Sequence, residues 1–234
     1  MSESLVMIQG LFWEVLVAHV KLFFYLTLTL LTLFEVVPVC LGRKSTLKKN
    51  LPDLARFHVV RGMVLLILGV TLPFLFFFMG IAHGIIDISY LPRFLQIVVL
   101  YLFSEFWIYL SHRSAHRYMI PILSKAHRFH HTTTTDLEWV NSKKEHYFVL
   151  ILFLMVFEVT FFIVFHSSKG VFPVTLGLYL ILNAFSHFEV PISIKYLDKV
   201  FLFPKDHLRH HTRKGGPYGV TLSVFDSIFK TRGD

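Results

Sequence analysis

Long apolar stretches alternate with polar stretches along this chain, and the alternation predicts a bundle of membrane-spanning helices. Each apolar stretch has about 20 residues, the length that an α-helix needs to cross the hydrocarbon core of a bilayer. The clearest stretch, residues 62–86, carries no charged residue at all. The predicted spans cover residues 15–36, 62–86, 94–111, 147–166 and 170–188.

The last two stretches are joined so closely that they allow two topologies. Only residues 167–171 connect them, so the stretches 147–166 and 170–188 either both cross the membrane or form a hairpin that does not cross fully. The pattern therefore predicts four to five transmembrane helices.

Lys and Arg residues are concentrated in every second connection between the predicted spans. Residues 37–61 carry six of them, residues 112–146 carry six and the tail from residue 190 carries eight, whereas the other two connections carry only Arg93 and Lys169. Positive charge marks the cytoplasmic side of membrane proteins, so the three basic regions are predicted to be cytoplasmic and the N-terminus to lie outside. This topology accounts for the net charge of +8, and no nucleic-acid partner is expected.

The composition agrees with a membrane protein and excludes one kind of site. Hydrophobic residues make up 54% of the 234 residues, and 26 residues are Phe. Cys40 is the only cysteine, which excludes an intramolecular disulfide and a cysteine-based metal or redox site. The predicted fold is an all-α membrane protein, with transmembrane helices and a basic connector in residues 1–95 and a second domain in residues 96–234.

Histidines in the polar regions form three clusters with helical spacing. On an α-helix, positions i, i+3 and i+4 share one face, so each cluster can aim two or three imidazoles at one point. Neutral imidazole is a good ligand for iron, zinc, copper and nickel. The clusters are His112-x-x-x-His116, His127-x-x-His130-His131 and His207-x-x-His210-His211.

The repetition of these clusters is unlike a chance pattern. One His-x-x-His-His would occur by chance about 0.05 times in a chain with this histidine content, and two would occur on the order of a thousandth of the time. All three clusters, and His187 at the end of the last span, fall on the predicted cytoplasmic side. So many imidazoles exceed the need of one metal ion, and they predict a two-metal site on helices that cap the bundle.

The histidine pattern resembles that of the fatty acid hydroxylase / sterol desaturase superfamily of membrane enzymes over roughly residues 100–231. In that superfamily a carboxylate and a Tyr precede His-Arg-x-x-His, and two His-x-x-His-His motifs follow with a further His between them. The segment from Tyr218 to Thr231 resembles the closing motif of the superfamily, with Phe225 in place of its usual Trp.

The resemblance implies a non-haem di-iron centre that uses O2 and external electrons to hydroxylate or desaturate a C–H bond of a sterol, a fatty acyl chain or a related lipid. Two Fe ions are implied, and no bound haem or flavin is expected. The implied metal ligands are His112, His116, His127, His130, His131, His187, His207, His210 and His211.

Ligating histidines usually donate their second ring N–H to an acceptor, which fixes the tautomer. Candidates for contact with the ligating rings are Glu105, Tyr109, Glu145, His146, Asn183, Glu189, Asp206 and Asp226.

Electrons are expected from a separate donor of the ferredoxin or cytochrome b5 type, because nothing in the chain resembles a fused haem or flavin domain. A basic cytoplasmic face could dock this donor, and binding of anionic lipid head groups explains the same charges equally well. This face contains Arg113, Arg117, Lys125, Arg128, Arg209, Arg213 and Lys214.

Two other classes of function stay open at this point. A zinc-dependent membrane hydrolase would use histidine ligands, although the chain lacks His-Glu-x-x-His and its histidines exceed the need of one zinc ion. The other class is a non-enzymatic haem or metal-binding membrane protein. A haem protein would place paired histidines within the spans, and here they lie beyond the span ends. A metal transporter would carry a series of polar residues across the bilayer, and the span 62–86 has no such series. The sequence leaves open the lipid, the position oxidised, the electron donor, the oligomeric state and the membrane, which would be the inner or plasma membrane in a bacterium and the endoplasmic reticulum in a eukaryote.

Overall fold

The structure is a computed structural model, and it is mostly helical. The predicted spans 62–86 and 147–166 lie almost entirely outside the residues it describes. It describes residues 27–45, 85–133, 164–168, 170–188, 194–212 and 215–232, with single residues at positions 17, 21, 24, 25, 47, 51, 52, 55, 59, 149 and 160.

The described ranges contain three apolar helices, and a short polar helix follows each of the last two. A π-helical turn, Thr32–Val36, lies within the first helix. In chain order the elements are α1 (Thr27–Cys40), β1 (Ile86–Asp87), α2 (Arg93–His116), α3 (Pro121–Thr133), β2 (Phe165–His166), α4 (Val171–Ser186), α5 (Pro204–Thr212) and α6 (Val224–Ile228).

Helix α2 contains the predicted span 94–111 and continues through the first histidine cluster, as the sequence predicts. Pro92 precedes the helix, and its carbonyl accepts the backbone N–H groups of Leu95 and Gln96. The helix stops before Tyr118, whose φ of 55° is left-handed and incompatible with helix continuation. Among the described residues, α2 is the helix that is long and apolar enough to cross a membrane. Its 24 residues extend about 36 Å.

The two faces of α2 meet different surroundings. Leu100, Ser104 and Ile108 are spaced by four residues and are buried against the other helices. The opposite face exposes large apolar side chains, which suits contact with lipid rather than water. The exposed apolar residues of α2 include Phe94, Leu95, Val98, Leu102 and Trp107.

A small polar junction holds the N-terminal ends of α2 and α4 together. Strands β1 and β2 pair in parallel just before these helices, with Ile86 opposite Phe165. The Gln96 side chain donates its amide N–H to the Ser168 hydroxyl at 2.9 Å and accepts the Ser168 backbone N–H at 2.7 Å. Both helices therefore start at the same end of the bundle, and both end near the histidines.

The end of α1 packs beside the last turn of α4. The rings of Phe34 and Phe188 lie 5.6 Å apart between centroids, at the residue that follows His187. The apolar core that supports the histidine end therefore includes α1 as well as α2 and α4.

Candidate metal centre

Four helices bring the predicted histidine ligands to one end of the bundle. The C-terminal end of α2 carries His112 and His116, and the residue that caps the C-terminal end of α4 is His187. Helices α3 and α5 carry one His-x-x-His-His cluster each. Both short helices begin with a proline, a residue favoured at the first helical position because its missing N–H would have no partner there.

The histidines form two groups, and within each group one nitrogen from every ring lies within 4.8 Å of all the others. The five-histidine group is His112, His116, His127, His131 and His210, and the four-histidine group is His130, His187, His207 and His211.

Neighbouring ring nitrogens in the five-histidine group are spaced as metal ligands would be. The Nε2 atom of His127 lies 2.9 Å from that of His112 and 3.0 Å from those of His116 and His131. The Nε2 atoms of His210 and His112 lie 3.1 Å apart. Two nitrogens at right angles around one metal ion, each bound at about 2.1 Å, would lie about 3.0 Å apart.

The four-histidine group has the same kind of spacing. The Nε2 atom of His207 lies 2.9 Å from that of His187 and 3.0 Å from that of His211. The His187 and His130 Nε2 atoms lie 3.4 Å apart. The rings of His131 and His211, which belong to different groups, stack with centroids 4.5 Å apart. The two groups are therefore in direct contact.

Each His-x-x-His-His cluster is divided between the two groups. In α3, His127 and His131 join the five-histidine group and His130 joins the other. In α5 the division is reversed, because His207 and His211 join the four-histidine group. Residues four apart lie over one another on a helix, whereas the residue three apart is rotated to the other side of that line. The spacing therefore sends two rings to one point and one ring to its neighbour.

Hydrogen bonds to backbone carbonyls fix the tautomers of three rings. The Nδ1 atoms of His112, His210 and His187 lie 2.7 Å, 3.0 Å and 2.9 Å from the carbonyl oxygens of Tyr218, Gly215 and Asn183. A carbonyl only accepts, so in each ring Nδ1 carries the proton and Nε2 presents a bare lone pair.

This tautomer assignment shows that the five-histidine group fits a metal ion. His112 and His210 both present Nε2 lone pairs, and these nitrogens lie 3.1 Å apart. Two lone pairs at that distance repel unless a cation lies between them. A metal ion supplies that cation, and donation of the second ring N–H to a carbonyl is the usual arrangement for a ligating histidine.

Burial keeps five of the six histidine rings of α3 and α5 neutral. Burial, reinforced by the neighbouring imidazoles, holds the pKa of His127, His207 and His210 well below the ordinary value of 6.5. Burial also lowers the pKa of His131 to about 4 and lowers that of His211. Neutral rings are the form that binds metal ions, so the groups are ready to bind at neutral pH.

Among the predicted outer partners in the described residues, Asn183 contacts a ring through its backbone carbonyl, and the others contact other groups than the rings. Glu105 accepts the Leu222 backbone N–H at 3.2 Å, and Tyr109 bonds to Thr231 at 3.0 Å. Asp206 pairs with Arg209 at 3.7 Å and with Arg232 at 3.5 Å. Asp226 accepts backbone N–H groups of the C-terminal loop.

Two buried polar atoms near the four-histidine group have no hydrogen-bond partner in the described part of the chain. They are Asn183 Oδ1 and His207 Nδ1. Three of the other predicted partners, Glu145, His146 and Glu189, lie outside the described residues.

Some residues of the predicted basic face are exposed, and others contact the C-terminal tail. Arg117, Lys125 and Arg128 are exposed at the histidine end. Arg113 lies 5.9 Å from the centre of the Phe229 ring, and Arg209 donates to the Arg232 carbonyl at 2.9 Å, so both help to hold the C-terminal tail. Arg213 and Lys214 fall in a gap between the described ranges.

The carbonyl acceptors of Gly215 and Tyr218 are absent from the sequence predictions. Every residue has a backbone carbonyl, so residue type gives no signal for such a role. The Tyr-Gly of the closing motif identifies this segment of the chain but does not show that its backbone carbonyl accepts a hydrogen bond from a histidine ring.

Comparison with known proteins gives one result. The sequence model of the family described as fatty acid hydroxylase matches residues 97–231, which is more than half of the chain. Searches of curated proteins and of solved structures find no match. The matched range contains all nine histidines and confirms the resemblance seen in their pattern. The chain belongs to the fatty acid hydroxylase family of the sterol desaturase/fatty acid hydroxylase superfamily, which implies an oxidoreductase with a lipid substrate and a histidine-rich metal site.

Proposed function

We propose that this chain is a membrane-bound, non-haem di-iron oxidoreductase that hydroxylates or desaturates a C–H bond of a lipid. The observation that carries the proposal is the pair of adjacent, all-imidazole groups in a chain of this family. The nine histidines would hold two iron ions, one in each group. Nine neutral ligands exceed what one catalytic zinc ion needs, which disfavours a hydrolase.

Iron bound in this way would supply the activation of O2, and the protein supplies orientation and exclusion of water. Hydroxylation consumes one O2, two electrons and two protons, and it yields the alcohol and one water. Desaturation consumes the same reactants and yields the alkene and two waters. The buried rings of His130, His207 and His210 exclude water from the inner side of the site.

The site is proposed to open at the cytoplasmic surface of the membrane. Helices α2 and α4 both run from the polar junction around Gln96 to the histidine end. The basic regions of the sequence adjoin that same end, and positive charge favours the cytoplasm. A lipid could then reach the metals along the apolar helices without leaving the bilayer. The division into a span-containing part, 1–95, and a catalytic part, 96–234, stays a prediction.

Electrons are proposed to come from a separate carrier of the ferredoxin or cytochrome b5 type. The exposed residues Arg117, Lys125 and Arg128 lie on the same side as the histidines and would attract an acidic protein. Anionic lipid head groups would bind the same charges, so dependence of electron transfer on ionic strength in neutral detergent separates the two roles.

Metal analysis of the intact chain tests the proposal. After gentle detergent purification, elemental analysis is expected to find about two iron ions per chain, without the absorption spectrum of haem. Zinc in their place calls for reconstitution with iron before activity is measured. A chain that binds no stoichiometric metal even after reconstitution would refute the proposed function.

Labelled oxygen distinguishes the two reactions. Membranes with and without the protein are supplied with 18O2, and their lipids are compared by mass spectrometry. A hydroxylase places one 18O atom in the lipid, whereas a desaturase removes two hydrogens and places the label only in water. Identical lipids in the two membranes under several lipid supplies would contradict both reactions.

A further inference from the structure

The loop of residues 215–219 lies against the five-histidine group and contacts it through its main chain and through the Tyr218 ring. The Gly215 carbonyl accepts the Nδ1–H of His210, and the Tyr218 carbonyl accepts that of His112. These two rings come from α5 and α2, so one loop orients ligands from two helices. Its position decides whether both Nε2 lone pairs point at a shared centre.

Asp226 of α6 holds this loop in place. Its side chain is fully buried, and its two oxygens accept the backbone N–H groups of Tyr218 and Gly219, each at 2.7 Å. A charged acceptor makes stronger hydrogen bonds than a neutral one, particularly where water is excluded. The carboxylate therefore fixes the peptide unit that contains both the Tyr218 carbonyl and the Gly219 N–H.

The space around Gly219 has no room for a side chain. A Cβ atom on Gly219 would lie 1.9 Å from the Leu222 carbonyl oxygen and 2.8 Å from Asp226 Oδ2. The absence of a side chain is what lets the carboxylate reach the backbone N–H.

The carboxylate is itself oriented by a chain of hydroxyl groups. Thr231 donates its hydroxyl to Asp226 Oδ1 at 2.7 Å, and the Thr231 oxygen in turn lies 3.0 Å from the Tyr109 hydroxyl of α2. Asp226 is thus fixed relative to the helix that carries His112. This chain of contacts joins the closing motif to the metal-binding end of α2.

We propose that Asp226 is a positioning residue for the five-histidine group. It holds the main chain at residues 218–219, which keeps the Tyr218 carbonyl on His112 Nδ1 and the His112 Nε2 lone pair directed at the metal. The proposal rests on the proposed function only in requiring that the histidine groups bind metal. The proposal predicts different effects on the two groups, because the carbonyls of this loop accept hydrogen bonds from His112 and His210, which both belong to the five-histidine group.

The test uses the full-length chain, purified in detergent, stripped of metal and titrated with cobalt(II), whose visible absorption reports its ligands. Asp226→Asn places an amide N–H against one backbone N–H of the loop. The change is made in two backgrounds, His130→Ala, which leaves the five-histidine group complete, and His210→Ala, which leaves the four-histidine group complete. Asp198→Asn is the matched control, because Asp198 is a tail carboxylate that pairs with Arg232 at 3.8 Å and is not bonded to the loop.

We expect Asp226→Asn to weaken cobalt binding by about 10–100-fold in the His130→Ala background, with an altered cobalt spectrum, and to leave binding in the His210→Ala background unchanged. Asp198→Asn should change neither. Equal binding with and without Asp226→Asn, or an equal loss in both backgrounds, would overturn the positioning role, since a merely structural residue affects both groups alike.

A second variant decides the matter if Asp226→Asn does not fold. Thr231→Val keeps the shape of the side chain and removes only the hydroxyl that orients Asp226. A smaller loss confined to the five-histidine group supports the proposal, and no loss, or loss in both groups, overturns it. A wild-type chain that binds no metal would refute the proposed function instead, so the two failures are distinct.

Discussion

The ring nitrogens of the site are directed by neutral groups. In the rings with assigned tautomers, the Nδ1 protons of His112, His187 and His210 go to backbone carbonyls rather than to carboxylates. Neutral acceptors fix the orientation of a ring without adding negative charge near the metal. An all-imidazole ligand set likewise leaves the charge of the ion uncompensated, and under the proposed function this favours the reduced ion, the form that would react with O2.

Removal of one ring from each group tests the ligand assignment residue by residue. We expect His130→Ala and His210→Ala each to lower the iron content from about two to about one per chain and to abolish lipid oxidation, since both ions are required. Elemental analysis and product analysis by mass spectrometry provide the measurements.

His166→Ala is the matched control for these variants. His166 lies on β2, near the opposite end of the bundle, and belongs to neither group. Its replacement should leave the iron content unchanged. Full iron content and normal turnover in either cluster variant would contradict the assignment.

Gln96 provides a residue-scale prediction that does not involve the metals. Its side chain is fully buried and makes both the donor and the acceptor bond to Ser168. Gln96→Leu would leave the Ser168 backbone N–H without its partner, so we expect the free energy of unfolding to fall by about 1–3 kcal/mol. The measurement is denaturant unfolding in detergent, with iron content as a second readout.

Phe94→Leu serves as the control for Gln96→Leu, because Phe94 is 64% exposed on the same helix. It should change stability little, and neither variant should lose iron. Equal stability of Gln96→Leu and the wild-type chain would show that the polar junction contributes nothing to the fold.

Two of the four histidine-bearing helices are short. Helix α3 has 13 residues and α5 has nine, and isolated helices of that length are marginal in water. Each contributes ligands to both groups, so bound metal ions would connect these helices to the longer α2 and α4. The short helices are therefore expected to depend on metal for their stability, while the long ones depend on apolar packing.

Metal removal tests this dependence at the scale of the elements. Binding to the folded state stabilises it by mass action, so chelation should increase amide hydrogen exchange in α3 and α5. Exchange in the middle of α2 should change little, and this serves as the internal control. Hydrogen exchange with mass spectrometry gives the measurement, and unchanged protection of α3 and α5 after complete removal of metal would contradict the expectation.

At the scale of the whole molecule, the polar junction and the metal groups lie at opposite ends of α2. The helix itself extends about 36 Å over its 24 residues, which exceeds the hydrocarbon thickness of about 30 Å. The apolar outer face of the helix suits lipid along this distance. If α2 crosses the membrane, the junction and the histidines lie on opposite sides.

The single cysteine allows this orientation to be measured. Cys40 is exposed at the end of α1, close to the histidine end. In sealed vesicles, an impermeant thiol reagent is expected to label Cys40 from the cytoplasmic side only. A Cys40→Ser chain with Tyr90→Cys, at the exposed junction end, should be labelled only from the other side. Labelling of both positions from one side would contradict a crossing α2.

The nine histidines, the family and the span that leads into the first cluster can all be recognised in the amino-acid sequence alone. Helical spacing and hydropathy are local properties, so they suffice to place His112 and His116 at the end of a long apolar helix. The His-x-x-His-His spacing is likewise readable because it repeats.

The sharing of the rings between two groups, and the contacts that orient them, follow from tertiary packing. Each short helix contributes one ring, His130 of α3 or His210 of α5, to the group that holds two rings of the other short helix. This arrangement depends on how α3 and α5 face each other, which no local pattern encodes. The same holds for Asp226, which acts on His112 through the main chain of residues 218–219. Contacts between residues about a hundred positions apart, made by backbone atoms that every residue possesses, arise from packing and leave no signal in residue type.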